Sequence, residues 1–231
     1  DTFPSSEKLY DWELGYQYTA PRLSLGVNLY YMKYKDQLVP TGMVNDDSNA
    51  LNTNVPDSYR RGVELSASWR ATGWFTVGAN ATFSQNRIEN YVDALKDSPT
   101  YGKELGDMTI AYSPDVIANA FLNFHHRGFE AVFHTQHVGK QYFTNNENDA
   151  LSLDAYCVTN LNLAYTFRTR SARSVRLGLL INNLFNAEYE SNGYGYSYMD
   201  TWSGPAPVRI DEAYYFPQAP LNVLANVTVK F

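Results

Sequence analysis

Hydrophobic and polar positions alternate along most of this 231-residue chain, most cleanly at its end. Leu221, Val223, Ala225, Val227, Val229 and Phe231 share one phase, and Asn222, Asn226, Thr228 and Lys230 share the other. Side chains of a strand point to opposite faces with a period of two, so this run reads as one long strand with an apolar and a polar face. About 9 to 11 tilted residues are what a strand needs to cross the hydrocarbon of a bilayer, and this strand has that length.

Eight more runs precede it. The first, Tyr10 to Ala20, sets Tyr10, Trp12, Leu14, Tyr16 and Tyr18 against Asp11, Glu13, Gly15 and Gln17. After Pro21-Arg22 the second sets Leu23, Leu25, Val27, Leu29 and Tyr31 against Ser24, Gly26 and Asn28. A long polar segment, about Lys35 to Asp57 and including Asn45-Asp46-Asp47-Ser48-Asn49, reads as loop. The third run sets Val63, Leu65, Ala67 and Trp69 against Gly62, Glu64, Ser66 and Ser68, and turns through Arg70 to Gly73. The fourth carries Phe75, Val77, Ala79, Ala81 and Phe83; after a second long loop, Gln85 to Pro114, the fifth carries Ala118, Ala120, Leu122 and Phe124. Arg127-Gly128 reads as a two-residue hairpin turn, which puts Phe124 opposite Ala131, Leu122 opposite Phe133 and His125 opposite Glu130. The sixth strand runs to about Gln141, the seventh from about Ala155 to Phe167, and the eighth carries Val175, Leu177, Leu179 and Ile181. A polar loop at Thr144 to Asp149 and a turn at Arg168 to Ser174 separate them, and a Tyr- and Gly-rich loop, about Asn186 to Pro220, leads into the closing strand.

Short turns and long loops alternate, as they do at the periplasmic and extracellular ends of bacterial outer-membrane barrels. On the apolar phase the residue nearest a short turn is Tyr18, Trp69, Phe75, Phe124, Phe129, Phe167 or Phe231, aromatic on all but the second and eighth strands. A soluble sandwich has no use for an aromatic rim. An interfacial girdle consists of one, because a ring can lie in the apolar layer with its edge among headgroups. The predicted fold is all-β: an antiparallel transmembrane β-barrel portion of about nine long strands, in the outer membrane of a Gram-negative bacterium.

Composition fits this picture. The chain is 15% aromatic with 19 Tyr. A mean hydropathy of −0.40 and the lack of any apolar run of about 18 residues exclude a transmembrane helix but not a barrel, whose strands meet lipid only at alternate residues. A net charge of −6 with scattered basic residues argues against nucleic acid as a partner, and the single Cys157 permits no internal disulfide. No secretory signal precedes Asp1, so the chain is expected to start at a processed end or a cut, with residues 1–6 as loop.

Several segments resemble the carboxy-terminal part of TonB-dependent outer-membrane receptors, over nearly the whole chain. They are Glu7-Lys8 with Trp12-Glu13-Leu14-Gly15, Arg61-Gly62-Val63-Glu64, Val138-Gly139-Lys140-Gln141-Tyr142, Asn182-Asn183-Leu184-Phe185-Asn186 with Tyr189, and Phe216-Pro217-Gln218-Ala219-Pro220-Leu221 before terminal Phe231. The resemblance implies a barrel of about 22 strands occluded by an amino-terminal plug. It also implies uptake of a scarce nutrient such as an iron–siderophore, haem, vitamin B12 or a glycan, energised through TonB. Residues 1–231 would be the last part of that barrel, with the plug and upstream strands absent. The last strand is similar to the signal read by the barrel-assembly machinery, a role carried over to Val227, Val229 and Phe231.

Candidate chemistry is sparse, and no cofactor is expected. His125 and His126 sit at a short turn while His134 and His137 point to opposite faces of one strand, so no metal site is assigned. Asn145, Glu147 and Asp149 have the alternate-oxygen spacing of a calcium loop without its glycine. Tyr194, Tyr196, Tyr198, Trp202, Tyr214 and Tyr215 are candidates for an aromatic lining at the outer mouth that takes an apolar or sugar-like ligand, set against simple loop packing. No Gly-x-Ser-x-Gly occurs, and an enzyme is not expected. The alternatives to a receptor are an outer-membrane barrel enzyme, a non-energised porin and, further off, a soluble β-sandwich binding protein.

The closing strand yields one test. Deleting Phe231 from the full-length protein is expected to lower outer-membrane insertion more than Lys230→Ala does, because Phe231 belongs to the girdle phase and Lys230 does not. Heat-modifiability of the two variants after cell fractionation measures this, and equal insertion would contradict it.

Overall fold

The computed structural model describes residues 4–44 and 50–231. Asp1-Thr2-Phe3 and Asn45-Asp46-Asp47-Ser48-Asn49, both read as loop from sequence, lie outside the described residues.

The chain forms fourteen strands among the described residues: β1 (Lys8–Ala20), β2 (Leu23–Val44), β3 (Ala50–Arg70), β4 (Phe75–Ile88), β5 (Met108–Thr109), β6 (Val116–His126), β7 (Phe129–Val138), β8 (Gln141–Tyr142), β9 (Ser152–Leu153), β10 (Tyr156–Phe167), β11 (Ser174–Asn182), β12 (Glu190–Asp200), β13 (Val208–Pro217) and β14 (Asn222–Lys230). One sheet runs β1-β2-β3-β4-β6-β7-β10-β11-β14, with β5 on the end of β4. Every neighbour along that path is antiparallel. These nine long strands are those read from the alternation.

Register agrees with it at the point where sequence fixed it tightly. Phe124 lies opposite Ala131, Leu122 opposite Phe133 and His125 opposite Glu130. Arg127 and Gly128 both have positive φ, 47° and 85°, the pair of left-handed conformations a type I′ hairpin turn demands. Leu224, the closing strand's one residue out of phase, lies opposite Leu180, so the exception is matched across the ladder.

Two of the segments read as long loops are largely strand among the described residues. β2 and β3 continue past Lys35 and Asp57, pairing Gln37 with Val55 and Pro40 with Asn52. The segment after Asn186 holds a separate two-stranded sheet, β12 with β13. Outside hydrocarbon the ladder goes on but neither face must be greasy, so the alternation that marks a membrane strand disappears while the strand persists. The sixth run likewise ends at Val138, and Gln141-Tyr142 leaves the sheet to pair with Ser152-Leu153.

The molecule is inside out by the standards of a water-soluble fold. Leu14 is 72% exposed and Val227 65%, on the outward phase of their strands. The chain's accessible surface is 14687 Å², against about 10,600 Å² for a compact monomer of its mass. A soluble β-sandwich would bury one face of each sheet, and this sheet does not. Its outward face carries the predicted lower girdle: Phe75 stacks on Phe124 at 4.6 Å with Trp74 at 6.2 Å from Phe124, and Phe129 lies opposite Tyr165. A second belt escaped the sequence reading. Tyr10, Trp12, Tyr31 and Tyr59 form a ladder of rings with centroids 5.9 to 6.4 Å apart, and Arg61 lies over Tyr59. Eight residues separate Tyr10 from Tyr18; at about 3.3 Å each and a tilt of about 40° the belts stand about 20 Å apart along the normal, close to the height of a barrel's apolar band.

The inward face is polar and paired to itself. Asn28 donates to both Glu13 (3.2 Å) and Glu64 (3.3 Å), Asn119 to Asn80, and Arg176 to Glu130 (2.7 Å).

Leu65 lies on the outward face between the two belts, opposite Val27 and Ala81. Leu65→Arg should therefore cost about 2 to 4 kcal/mol, the range for a cation at the midplane of a barrel's lipid face, and Ser66→Arg, on the inward face, much less. Unfolding of the two variants in lipid vesicles checks this; equal losses would overturn the assignment of faces.

Candidate functional site

Above the outer belt the connections pack on one another rather than into lipid. Val39 and Val55, on the extended β2–β3 hairpin, join Ile88, Tyr91 and Ile110 in one apolar cluster. Burial there pushes the Tyr91 phenol up to about 12. Phe143, Leu151 and Leu153, from the connection between β7 and β10, form a second cluster with Ala213 of β13.

Two polar side chains tie these clusters together. Asn145 is fully buried, accepts from the backbone N–H of Ala111 (2.8 Å) and donates to the carbonyl of Pro40 (2.6 Å), so one amide spans three connections. Glu147 accepts from Arg87 and from both the N–H (3.0 Å) and hydroxyl of Thr109. Partial burial raises its pKa, but the bonds from Thr109, together with Arg87, outweigh that and hold it below the usual carboxylate value. Asp149 instead pairs with Lys140. The three residues with calcium-loop spacing thus serve separate sets of protein partners, and the calcium reading is set aside. The histidines stay dispersed: His134 sits opposite Phe121 and Asn160, His137 opposite Ala118 and Cys157. No group of three metal-ligating residues occurs among the described residues.

The β12–β13 hairpin rests on the second cluster by one face. Gly193 and Gly195 face Phe143 and Leu151, where a Cβ would come within 2.7 Å and 2.9 Å of their side chains. Tyr215 lies on the same face, 5.8 Å from the Phe143 ring. Ser197 donates to Asp211 (2.6 Å), which also takes a bond from Arg209 (2.8 Å). Burial raises the Asp211 pKa, yet its bonds from Ser197 and Arg209 bring it down overall.

The other face carries the rings. Register sets Tyr194 opposite Tyr214 and Tyr196 opposite Glu212, with Phe216 opposite Asn192. Tyr194 stacks on Tyr214 at 4.9 Å, and Tyr196 lies 6.4 Å from both Tyr198 and Tyr214. Glu212 accepts from the hydroxyls of Tyr196 (2.7 Å), Tyr214 (2.9 Å) and Tyr198 (3.2 Å). These bonds, that from Tyr196 first, lower the Glu212 pKa and raise those of Tyr196 and Tyr214.

Of the six predicted aromatic residues the structure therefore unites Tyr194, Tyr196, Tyr198 and Tyr214. Tyr215 is turned to the packed face, because residues one apart on a strand point oppositely. Trp202 stands in the tip turn, 80% exposed, its backbone N–H bonded to Asp200. Glu212 and Phe216 were missed. The signal was present in Gly193-Tyr194-Gly195-Tyr196-Ser197-Tyr198, a small-large alternation that reads as a strand once one face is allowed to be glycine.

Comparison with known proteins fits this geometry. A family model described as "TonB dependent receptor-like, beta-barrel" matches residues 4–184, and the chain belongs to that family. Its strands are accordingly those of a TonB-dependent receptor-like β-barrel of the Gram-negative outer membrane. The pesticin receptors of Yersinia enterocolitica and Yersinia pestis are 23% identical over 190 residues, 82% of this chain and 26% of their own length. The chain thus spans about a quarter of the curated relatives it matches. Among solved structures, the ferric yersiniabactin uptake receptor FyuA from Yersinia pestis superposes with a TM-score of 0.67 at 20% identity over 97% of this chain and 30% of that one. The copper transporter OprC gives 0.67 at 20% over 97% and 32%, and the ferric citrate transporter FecA 0.63 at 16% over 96% and 30%. All of these are receptors or transporters rather than enzymes.

Glu147 makes the loop assembly sensitive to pH. Its carboxyl has a lower pKa folded than its ordinary value of 4.5, so its stabilisation is complete above that value and drains away as the pH falls below it through the folded pKa. Amide exchange at Thr109, corrected for intrinsic rate, should show protection that is flat from neutral pH down to about 4.5 and then falls, whereas Glu147→Gln should show weaker protection with no such step. A step of equal size in Glu147→Gln would contradict the assignment.

Proposed function

We propose that the protein containing this chain is an outer-membrane receptor that takes up a scarce nutrient with energy delivered through TonB, and that the tyrosine face of β12–β13 contacts the ligand. The observation that carries the reading is that this face is anchored from behind and open in front. Gly193 and Gly195 seat the hairpin on Phe143 and Leu151, while Tyr194 and Tyr214 remain 47% and 45% exposed. Rings held rigid before a ligand arrives lose little entropy on binding, which suits a recognition surface better than a loop core. Similar proteins named for ferric yersiniabactin, ferric citrate and copper make a metal chelate the favoured class of nutrient. In this reading TonB is reached through a region outside this chain, the barrel-assembly machinery reads the strand ending at Phe231, and outer-membrane lipid covers the outward face.

The test is uptake by the full-length receptor of radio-iron bound to hydroxamate, catecholate and citrate chelators. Tyr194→Ala with Tyr214→Ala should lower uptake of the transported complex by about tenfold or more, as loss of two interface aromatics does, with receptor abundance unchanged. Uptake that survives loss of both rings, or that persists when the proton-motive force is collapsed, would overturn the proposal.

A further inference from the structure

The tyrosine face has a sign. Glu212 can only accept hydrogen bonds when ionised, so each of the three phenols bonded to it must donate its single proton inward. What they leave facing outward is oxygen lone pairs and the negative faces of aromatic rings. The positions sharing that face on β12 and β13 are Asn192, Tyr194, Tyr196, Tyr198, Val208, Ile210, Glu212, Tyr214 and Phe216, with Asp200 at the strand end, and none is basic. The nearby cation, Arg209, is on the opposite face and committed to Asp211 and Ser197. A surface in which three of the four phenols present only acceptors, with ring faces and a carboxylate among them, complements ligands that present hydroxyl, amide or ammonium donors, and it repels anions.

We propose that Glu212 is a specificity-determining residue that bars anionic complexes from this face and selects a neutral or cationic chelate with outward hydrogen-bond donors. This rests on the face being the ligand site, as argued above. Glu212 acts in two ways. Its own charge repels an anion directly, and by capturing the phenol protons it keeps Tyr196, Tyr198 and Tyr214 from offering the donors an anion would need.

The experiment measures binding of three iron complexes to the full-length receptor in outer-membrane vesicles: a trihydroxamate with a pendant ammonium, a neutral cyclic trihydroxamate, and a trianionic tris-catecholate. The wild type should bind the better of the first two at least about tenfold more tightly than the third. Glu212→Gln, which keeps the shape and can still accept from phenols, should narrow that gap several-fold, mainly by improving the anion. Tyr194→Ala with Tyr214→Ala should weaken whichever complex binds, regardless of charge. If the ring variant binds like wild type, the face is not the ligand site; if it weakens binding but Glu212→Gln leaves the charge preference unchanged, only the role of Glu212 fails. Preference of the wild type for the trianion, or binding of none of the three, would overturn the inference.

Discussion

The structure depends on one constraint: hydrocarbon contains no water to satisfy a peptide group, so every N–H and C=O that crosses it must find its partner in a neighbouring strand. The ladders from β1 to β14 meet that requirement for every strand between those two, while the outer edges of β1 and β14 find no partner among the described residues. Once pairing is fixed, each strand has one face toward lipid and one toward the lumen, and a slip of one residue would exchange them along the whole strand. Leu65 beside Ser66, and Val227 beside Thr228, follow from this. So do the two aromatic belts, which mark where the apolar band ends.

Past the outer belt the constraint changes. Water is available, so the hairpins no longer need a greasy face but must bury something of their own to stay ordered. They do so with two small apolar clusters, fastened by the amide of Asn145 and the carboxylate of Glu147. The β12–β13 hairpin gives the face of Gly193, Gly195, Ala213 and Tyr215 to this assembly and keeps the rings of the other face free. Rigidity and exposure together are what make that face a site of recognition in this account.

The membrane part was legible because lipid enforces alternation: a residue such as Leu179 beside Gly178 announces its phase from sequence alone. The upper belt was less legible, because Tyr10 and Trp12 continue the apolar phase and are told from mid-bilayer residues only when neighbouring strands are aligned. The loops were least so. Lys35 to Pro40 reads as polar loop because its packed face holds polar Gln37 beside Val39 while apolar Leu38 is exposed, so hydrophobic alternation fails although the strand persists. The aromatic candidates were found as a list; which of them face together depended on the register between β12 and β13, and that alone brings Glu212 among the phenols and turns Tyr215 away.

The central claim is the period of two facing lipid, and site-specific accessibility tests it most directly. In the full-length receptor with Cys157 replaced by serine, single cysteines at consecutive positions from Val223 to Val229 would carry a fluorophore, quenched in turn by brominated lipid and by an aqueous quencher. The account predicts lipid quenching at Val223, Ala225, Val227 and Val229 and aqueous quenching at Leu224, Asn226 and Thr228. Quenching without a period of two, or with the phase inverted, would contradict it.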